Sequence, residues 1–139
     1  MKTMKNTDLR IGNLVATGNI LSIVVEITAS GVTYDSLNGS VVSEHCEWED
    51  VSGVELSKAL LEKYGFVDNF DSDFFDEGDL VYDKIVGKES IGVSYENENG
   101  KWFVITKSGL ELTHILFFHQ LQNLIYSLTG EELTETKNG

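Results

Sequence analysis

A chain of 139 residues is the size of one ordinary domain, long enough to bury a core without disulfides or structural metals to staple it. Lys and Arg number 10 against 23 Asp and Glu, a formal charge of −13; that field repels phosphate backbones and attracts basic surfaces, which argues against direct nucleic-acid binding. The acidity has two readings, a surface kept for solubility and a surface matched to a basic protein partner.

Cys46 is the only cysteine, so no intrachain disulfide can form and a reducing compartment is expected. The basic start, Met1 to Thr7, leads into no long apolar run, and no stretch approaches the roughly 20 apolar residues of a membrane span. The expected location is the cytoplasm, without membrane association.

Taken in chain order, residues 9 to 15 and 20 to 27 are rich in β-branched side chains, and Thr17-Gly18-Asn19 between them is turn chemistry, which predicts a hairpin. Further short strands are predicted around Val32 to Tyr34 and Gly39 to Val42, broken by Gly31 and Asn38-Gly39. Closely spaced strands over roughly 8–52 predict a small curved sheet or SH3-like barrel.

Between Leu56 and Phe66 the period changes: Leu56, Leu60, Leu61 and Tyr64 fall on one face at helical spacing. Ser57 is suited to cap the start, and Gly65 followed by Phe66 matches a Schellman stop. Residues 67 to 83 interleave acids with aromatics and predict an acidic loop that becomes a strand only at Leu80 to Tyr82.

From 90 to 107 the hairpin signal is strongest. Ile91, Val93 and Tyr95 alternate on one arm, Asn99-Gly100 is the turn, and Trp102, Val104 and Thr106 alternate on the other. A turn at Ser108-Gly109 leads to a strand over Leu110 to Phe118. A closing helix follows, with Leu121, Leu124, Ile125 and Leu128 as its apolar face and Gly130 as its stop. Thr129 and Glu132 have capping-box spacing, which predicts a second short turn, and the tail 134–139 is polar. The fold class is α+β: the N-terminal curved sheet, a short helix, then an antiparallel hairpin sheet packed by a C-terminal helix. The whole is expected to form one domain, with a β-rich part at 8–52 and the remainder at 53–133.

Three pieces in this order, LRIGNLV from Leu9, LSKALLEKYGF from Leu56 and HQLQNLIYSLTGEEL from His119, cover the start, middle and end of the chain. Together they resemble a family of small uncharacterised proteins encoded in Bacteroidota genomes, prophages and phages, whose members show an L-R-I-G-N opening and a V-H-Q-L-Q-N-L-Y-x-A-L-T-G-E-E-L close. Phe118 stands where that close commonly has valine. The resemblance implies a mobile-element origin and no established activity.

For catalysis or metal binding the stock is His45, His114, His119 and Cys46 with nearby acids, and their spacings match no metal signature. His119 and Asn123 are expected to hydrogen-bond neighbouring backbone. Asp71 to Gly78 has the density of a calcium loop, but Phe75 stands where an oxygen ligand is needed and Asp76 where the turn glycine belongs. No phosphate-binding glycine motif is present, and no cofactor is implied.

Three functional classes follow. The first is a non-enzymatic phage or prophage protein that binds a protein with a basic surface, for instance a host defence protein it inhibits. Its contact residues would be Phe70, Asp71, Asp73, Phe74 and Phe75 in the acidic loop, with His119, Gln122, Asn123 and Tyr126 on the last helix. The second binds a small ligand or nucleotide between Tyr34, Trp48, Trp102 and Tyr126; the third is an enzyme pairing His119 with an acid such as Glu47. Exposed sheet edges leave room for homo-oligomers under any of them.

Overall fold

The computed structural model of the chain describes residues 8–18, 20–37, 43–69, 79–98, 100–106 and 111–134. The strand expected at Gly39 to Val42, most of the acidic loop (70–78), the turn at Ser108-Gly109 and the tail beyond Thr134 lie outside the described residues.

The opening Leu-Arg-Ile-Gly-Asn is a turn, where a strand was expected to start at residue 9. The Asn13 N–H donates to the Arg10 carbonyl at 3.1 Å, and the Asn13 Oδ1 accepts from the Arg10 N–H at 2.7 Å. Gly12 takes a φ of 97°, the left-handed value that the third position of a type II turn demands. The Gly12 N–H then donates to the Val24 carbonyl at 2.8 Å and the Val24 N–H to the Asn13 carbonyl at 3.0 Å, so the motif ties the chain start to the second strand.

Strands β1 (Leu14–Thr17), β2 (Ile20–Ile27), β3 (Gly31–Ser36), β4 (Glu44–Glu47) and β5 (Val51–Gly53) form an antiparallel sheet ordered β4-β3-β2-β1-β5. A 3₁₀ turn at Trp48–Asp50 separates β4 from β5. Leu9, Val15, Val24, Val32, Tyr34 and Val51 fill the core, with Ile27, Cys46 and Trp48 packed against it. Gly31 sits where β3 and β4 approach so closely that a Cβ would collide with the Cys46 carbonyl oxygen.

Helix α1 (Lys58–Lys63) opens on Ser57, whose hydroxyl accepts from the Leu60 N–H at 3.2 Å. It closes as a Schellman motif: Phe66 N–H to the Leu61 carbonyl at 3.0 Å, Gly65 N–H to the Glu62 carbonyl at 3.1 Å, with Gly65 at φ 87°. The four residues expected on its apolar side, Leu56, Leu60, Leu61 and Tyr64, are all buried. Lys84 donates its ammonium to the Tyr64 carbonyl at 2.6 Å, a cation at a helix C-terminus.

The second sheet is ordered β10-β9-β8-β7-β6, from β6 (Val67–Asp68), β7 (Leu80–Val86), β8 (Glu89–Glu96), β9 (Lys101–Thr106) and β10 (Glu111–Ile115). The β8–β9 register pairs Val93 with Val104 and Tyr95 with Trp102, as the alternation predicts. β7 runs four residues past the expected Tyr82, to the turn at Gly87 (φ 60°), and Val67–Asp68 pairs with it as a short edge strand where loop was expected.

Helix α2 (Phe118–Thr129) buries Phe118, Leu121, Gln122 and Ile125. Its hidden face is therefore rotated from the expected one: Leu124 is half-buried and Leu128 is 40% exposed. Gly130 ends the helix at φ 75°. The Thr129 hydroxyl donates to the Ile125 carbonyl at 2.8 Å and accepts from the Glu131 N–H at 3.0 Å, so no second turn follows. Glu131 lies over Gly87 so closely that a Cβ there would meet its carboxylate, and Leu133 is buried.

The chain divides into two units, Met1–Glu55 with Phe117–His119, and Leu56–Leu116 with Gln120–Gly139. Both are antiparallel sheets, and the fold class is α+β. No helix among the described residues is long and apolar enough to cross a membrane.

Gly31→Ala is expected to destabilise the first unit by about 3 kcal/mol or prevent folding, since the colliding atom is backbone and cannot rotate away. Gly65→Ala should cost about 1 kcal/mol through its left-handed φ alone. Urea unfolding of the two variants checks both size and rank.

Candidate functional site

Of the residues proposed from sequence as a contact surface, Phe70, Asp71, Asp73, Phe74 and Phe75 lie outside the described residues. The remaining four sit on α2. Gln122 is buried, Asn123 half-buried and Tyr126 41% exposed. Gln120, not expected to take part, reaches back from the first turn, and its Oε1 accepts from the Leu116 N–H at 2.9 Å. That bond satisfies a backbone donor just ahead of the helix.

His119 belongs to the first unit and is 3% exposed. Its ring stacks on Phe117 at 5.7 Å and 13°, and Phe117 in turn fills the space that Gly53 leaves, its Cγ 2.5 Å from where a Cβ would stand. The Nδ1 atom has no hydrogen-bond partner, contrary to the expectation that this histidine bonds neighbouring backbone. Burial holds its pKa below the ordinary imidazole value, and the charge of Asp8 opposes that only in part. Asp8, rather than Glu47, is the acid that acts on it.

Of the aromatic residues proposed for a ligand groove, Tyr126 is exposed and the other three are packing residues. Tyr34 is buried in the first core, where its hydroxyl donates to Glu44 at 3.1 Å, and Trp48 packs on that core while its indole N–H donates to the Ala29 carbonyl at 3.0 Å. Trp102 is buried in the second unit beside Tyr95, ring centroids 4.9 Å apart. Burial, with help from Asp50 and Glu47, pushes the Cys46 thiol up, away from the thiolate that nucleophilic chemistry needs. His45 shares a hydrogen bond with the Ser30 hydroxyl at 3.2 Å. Among the described residues no group of three or more His, Cys, Asp or Glu could hold a metal.

What stands out is the outer face of the second sheet. Paired residues of an antiparallel sheet share a face, so the register Val67↔Asp83↔Gly92↔Ile105 is one row across four strands. Ile85, two residues along β7 and paired with Ser90, is the next position on that face. The opposite face carries Tyr82, Ile91, Val93 and Val104, each 0% exposed, whereas Val67 is 67% and Ile85 72% exposed. Fully burying one such side chain is worth roughly 1.5–3 kcal/mol, so both forgo most of it in this chain.

Asp83 lies amid these aliphatic side chains. Its Oδ2 accepts from the Asn69 amide at 2.5 Å, and its Oδ1 reaches over Gly92, 3.1 Å from the position of a Cβ. Ile105 is half-buried on the far side of Gly92. Farther along, Phe103 meets His114 at 5.8 Å, and Val81 and Ser94 of this face are buried, so its open part is the end that carries Val67 and Ile85. None of these residues was singled out from sequence. The missed signal was Val-Gly-Lys-Glu at 86–89, a two-residue hairpin turn that would have extended β7 to Val86 and placed Asp83 and Ile85 on one face.

On the inner face, the Tyr82 hydroxyl is buried near the Glu62 carboxylate but makes no hydrogen bond of good geometry; burial raises its pKa, and the carboxylates of Glu62 and Asp68 add to it. Tyr82→Phe should leave stability unchanged or raise it by up to about 1 kcal/mol, and a clear loss in urea unfolding would show that the hydroxyl is satisfied. For His119 the folded pKa lies below the unfolded value of about 6.5, so its neutral form stabilises the fold fully above that pH and the contribution is lost as pH falls below it. Denaturation from about pH 7 to about pH 5.5 should show a shallower loss of stability in His119→Phe than in the parent, and equal slopes would contradict this. Compared with protein-family models, curated proteins and solved structures, the chain matches none significantly.

Proposed function

We propose that this chain is a non-enzymatic accessory protein of phage or prophage origin that acts in the bacterial cytoplasm by binding a protein with a basic surface, and that inhibiting a host defence protein is the role this binding serves. The observation that carries the reading is the charge: 23 acids against 10 bases, −13 over 139 residues. A field of that strength steers a basic partner and disfavours phosphate-bearing ligands. The L-R-I-G-N opening and the H-Q-L-Q-N-L close support the mobile-element origin. Exposed aliphatic side chains beside Asp83 support a protein partner, because a charged surface kept only for solubility has no use for them.

Within this reading the first unit is an SH3-like small barrel. The order β4-β3-β2-β1-β5, with β1 between β2 and β5 and a 3₁₀ turn leading into β5, supports that description.

The tagged chain, incubated with bacterial lysate at about 50 mM salt, is expected to retain a protein partner that washing at about 500 mM salt releases. Recovery of no partner at low salt, or a partner indifferent to salt, contradicts the reading.

A further inference from the structure

We infer that the open end of the second sheet's outer face, formed by Val67, Asp83, Ile85 and Ile105, is a docking surface for a protein segment that presents a lysine or arginine between aliphatic side chains. The inference rests on the reading above, in which the partner is a basic protein, and adds where that partner binds and what it must carry.

The occupant follows from charge and shape at one spot. Val67 on the neighbouring β6 and Ile85 on the same strand flank Asp83, Ile105 of β9 lies across Gly92 from it, and the Asp83 Oδ1 stands over the bare backbone of Gly92. Lys84, the base on the same strand, points to the other face, where it donates to the Tyr64 carbonyl at 2.6 Å. Lys88 sits beyond, in the turn that closes β7 on β8. A carboxylate flanked by exposed Val67 and Ile85, with half-buried Ile105 across Gly92, attracts a cation and rewards it for bringing apolar neighbours; a wholly polar basic peptide gains only the first.

The stoichiometry of the contact follows as well. The Asn69 amide takes one lone-pair site of the Asp83 Oδ2, and the Oδ1 is the oxygen that stands over Gly92. With Asn69 already on the Oδ2, a guanidinium fork gains little over a single ammonium N–H at the Oδ1, so lysine and arginine should serve about equally.

The test is an NMR titration of the full chain with three synthetic peptides of equal length and charge, one alternating lysine and valine, one arginine and valine, one lysine and serine. The two valine peptides are expected to shift the amides of Val67, Asp83, Ile85 and Ile105, to bind within a few-fold of each other, and to bind about ten-fold more tightly than the serine peptide. Ile85→Asp should weaken the valine peptides by about ten-fold, while Leu37→Asp, on the first unit, should not. Ile85→Thr keeps the branched Cβ and serves as a second variant if the aspartate perturbs the fold, with a smaller loss in the same direction. Shifts centred elsewhere, equal affinity for the valine and serine peptides, no binding at about 1 mM, or unchanged binding by the Ile85 variants overturns the inference. If lysate capture persists, salt-sensitive, in Ile85→Asp, the basic-partner reading stands and only this surface is wrong; if the parent chain captures nothing, the reading itself falls.

Discussion

Successive residues of a β-strand point to opposite sides, so an antiparallel sheet that hides one face commits the other to whatever lies outside. In the second unit that commitment is made by Tyr82, Ile91, Val93 and Val104, which are wholly buried. Their neighbours along the same strands, Asp83, Ile85 and Gly92, have no freedom to turn inward without turning the core outward. The exposure of Ile85 is thus imposed by register, while its identity is not: a strand position facing water accepts threonine, lysine or glutamate at no cost to the fold. Val67 and Ile85 are the two most exposed of the described large hydrophobic residues, and they flank a carboxylate.

The three motifs that run through the chain are devices for stopping and turning it. Leu-Arg-Ile-Gly-Asn is a type II turn whose asparagine closes on its own backbone and whose glycine supplies the positive φ. Leu-Ser-Lys to Gly-Phe is a helix with a serine cap at one end and a Schellman stop at the other. The closing motif sets a glutamine against the backbone ahead of α2, ends the helix at Thr129-Gly130, lays Glu131 over Gly87 and buries Leu133. Backbone that must bend or end at a fixed residue needs particular side chains there, which is reason enough for such strings to be distinctive without marking an active site.

This also explains what could be read in advance. Local devices, the Ser57 cap, the Gly65 and Gly130 stops and the alternation across β8 and β9, are written in neighbouring residues and are legible. What was missed depends on distant parts of the chain. The β5 strand is three residues long and is held by pairing with β1. The hidden face of α2 includes Gln122 and leaves Leu128 partly exposed, which spacing alone does not reveal. His119 is a sharper case: its ring is used as a flat surface against Phe117, whose own place is made possible by the distant Gly53. As for the outer face, its residues were visible but their register was not, because β7 was expected to end at Tyr82.

An acidic molecule with one face of a sheet spent on its core and aliphatic groups left around a carboxylate on the other combines long-range attraction with a short-range anchor. In the proposed reading, charge selects the class of partner, and the aliphatic groups beside Asp83 decide where it settles. The second depends on Val67 and Ile85 being surplus to the fold. The most direct measurement is the unfolding free energy of the double variant Val67→Thr/Ile85→Thr beside that of Ile91→Ala on the inner face. A loss within about 0.5 kcal/mol for the outer pair, against about 2–4 kcal/mol for Ile91→Ala, is what an unoccupied docking face predicts. A loss from the outer pair as large as that from Ile91 would mean that these side chains hold the chain together, and would contradict it.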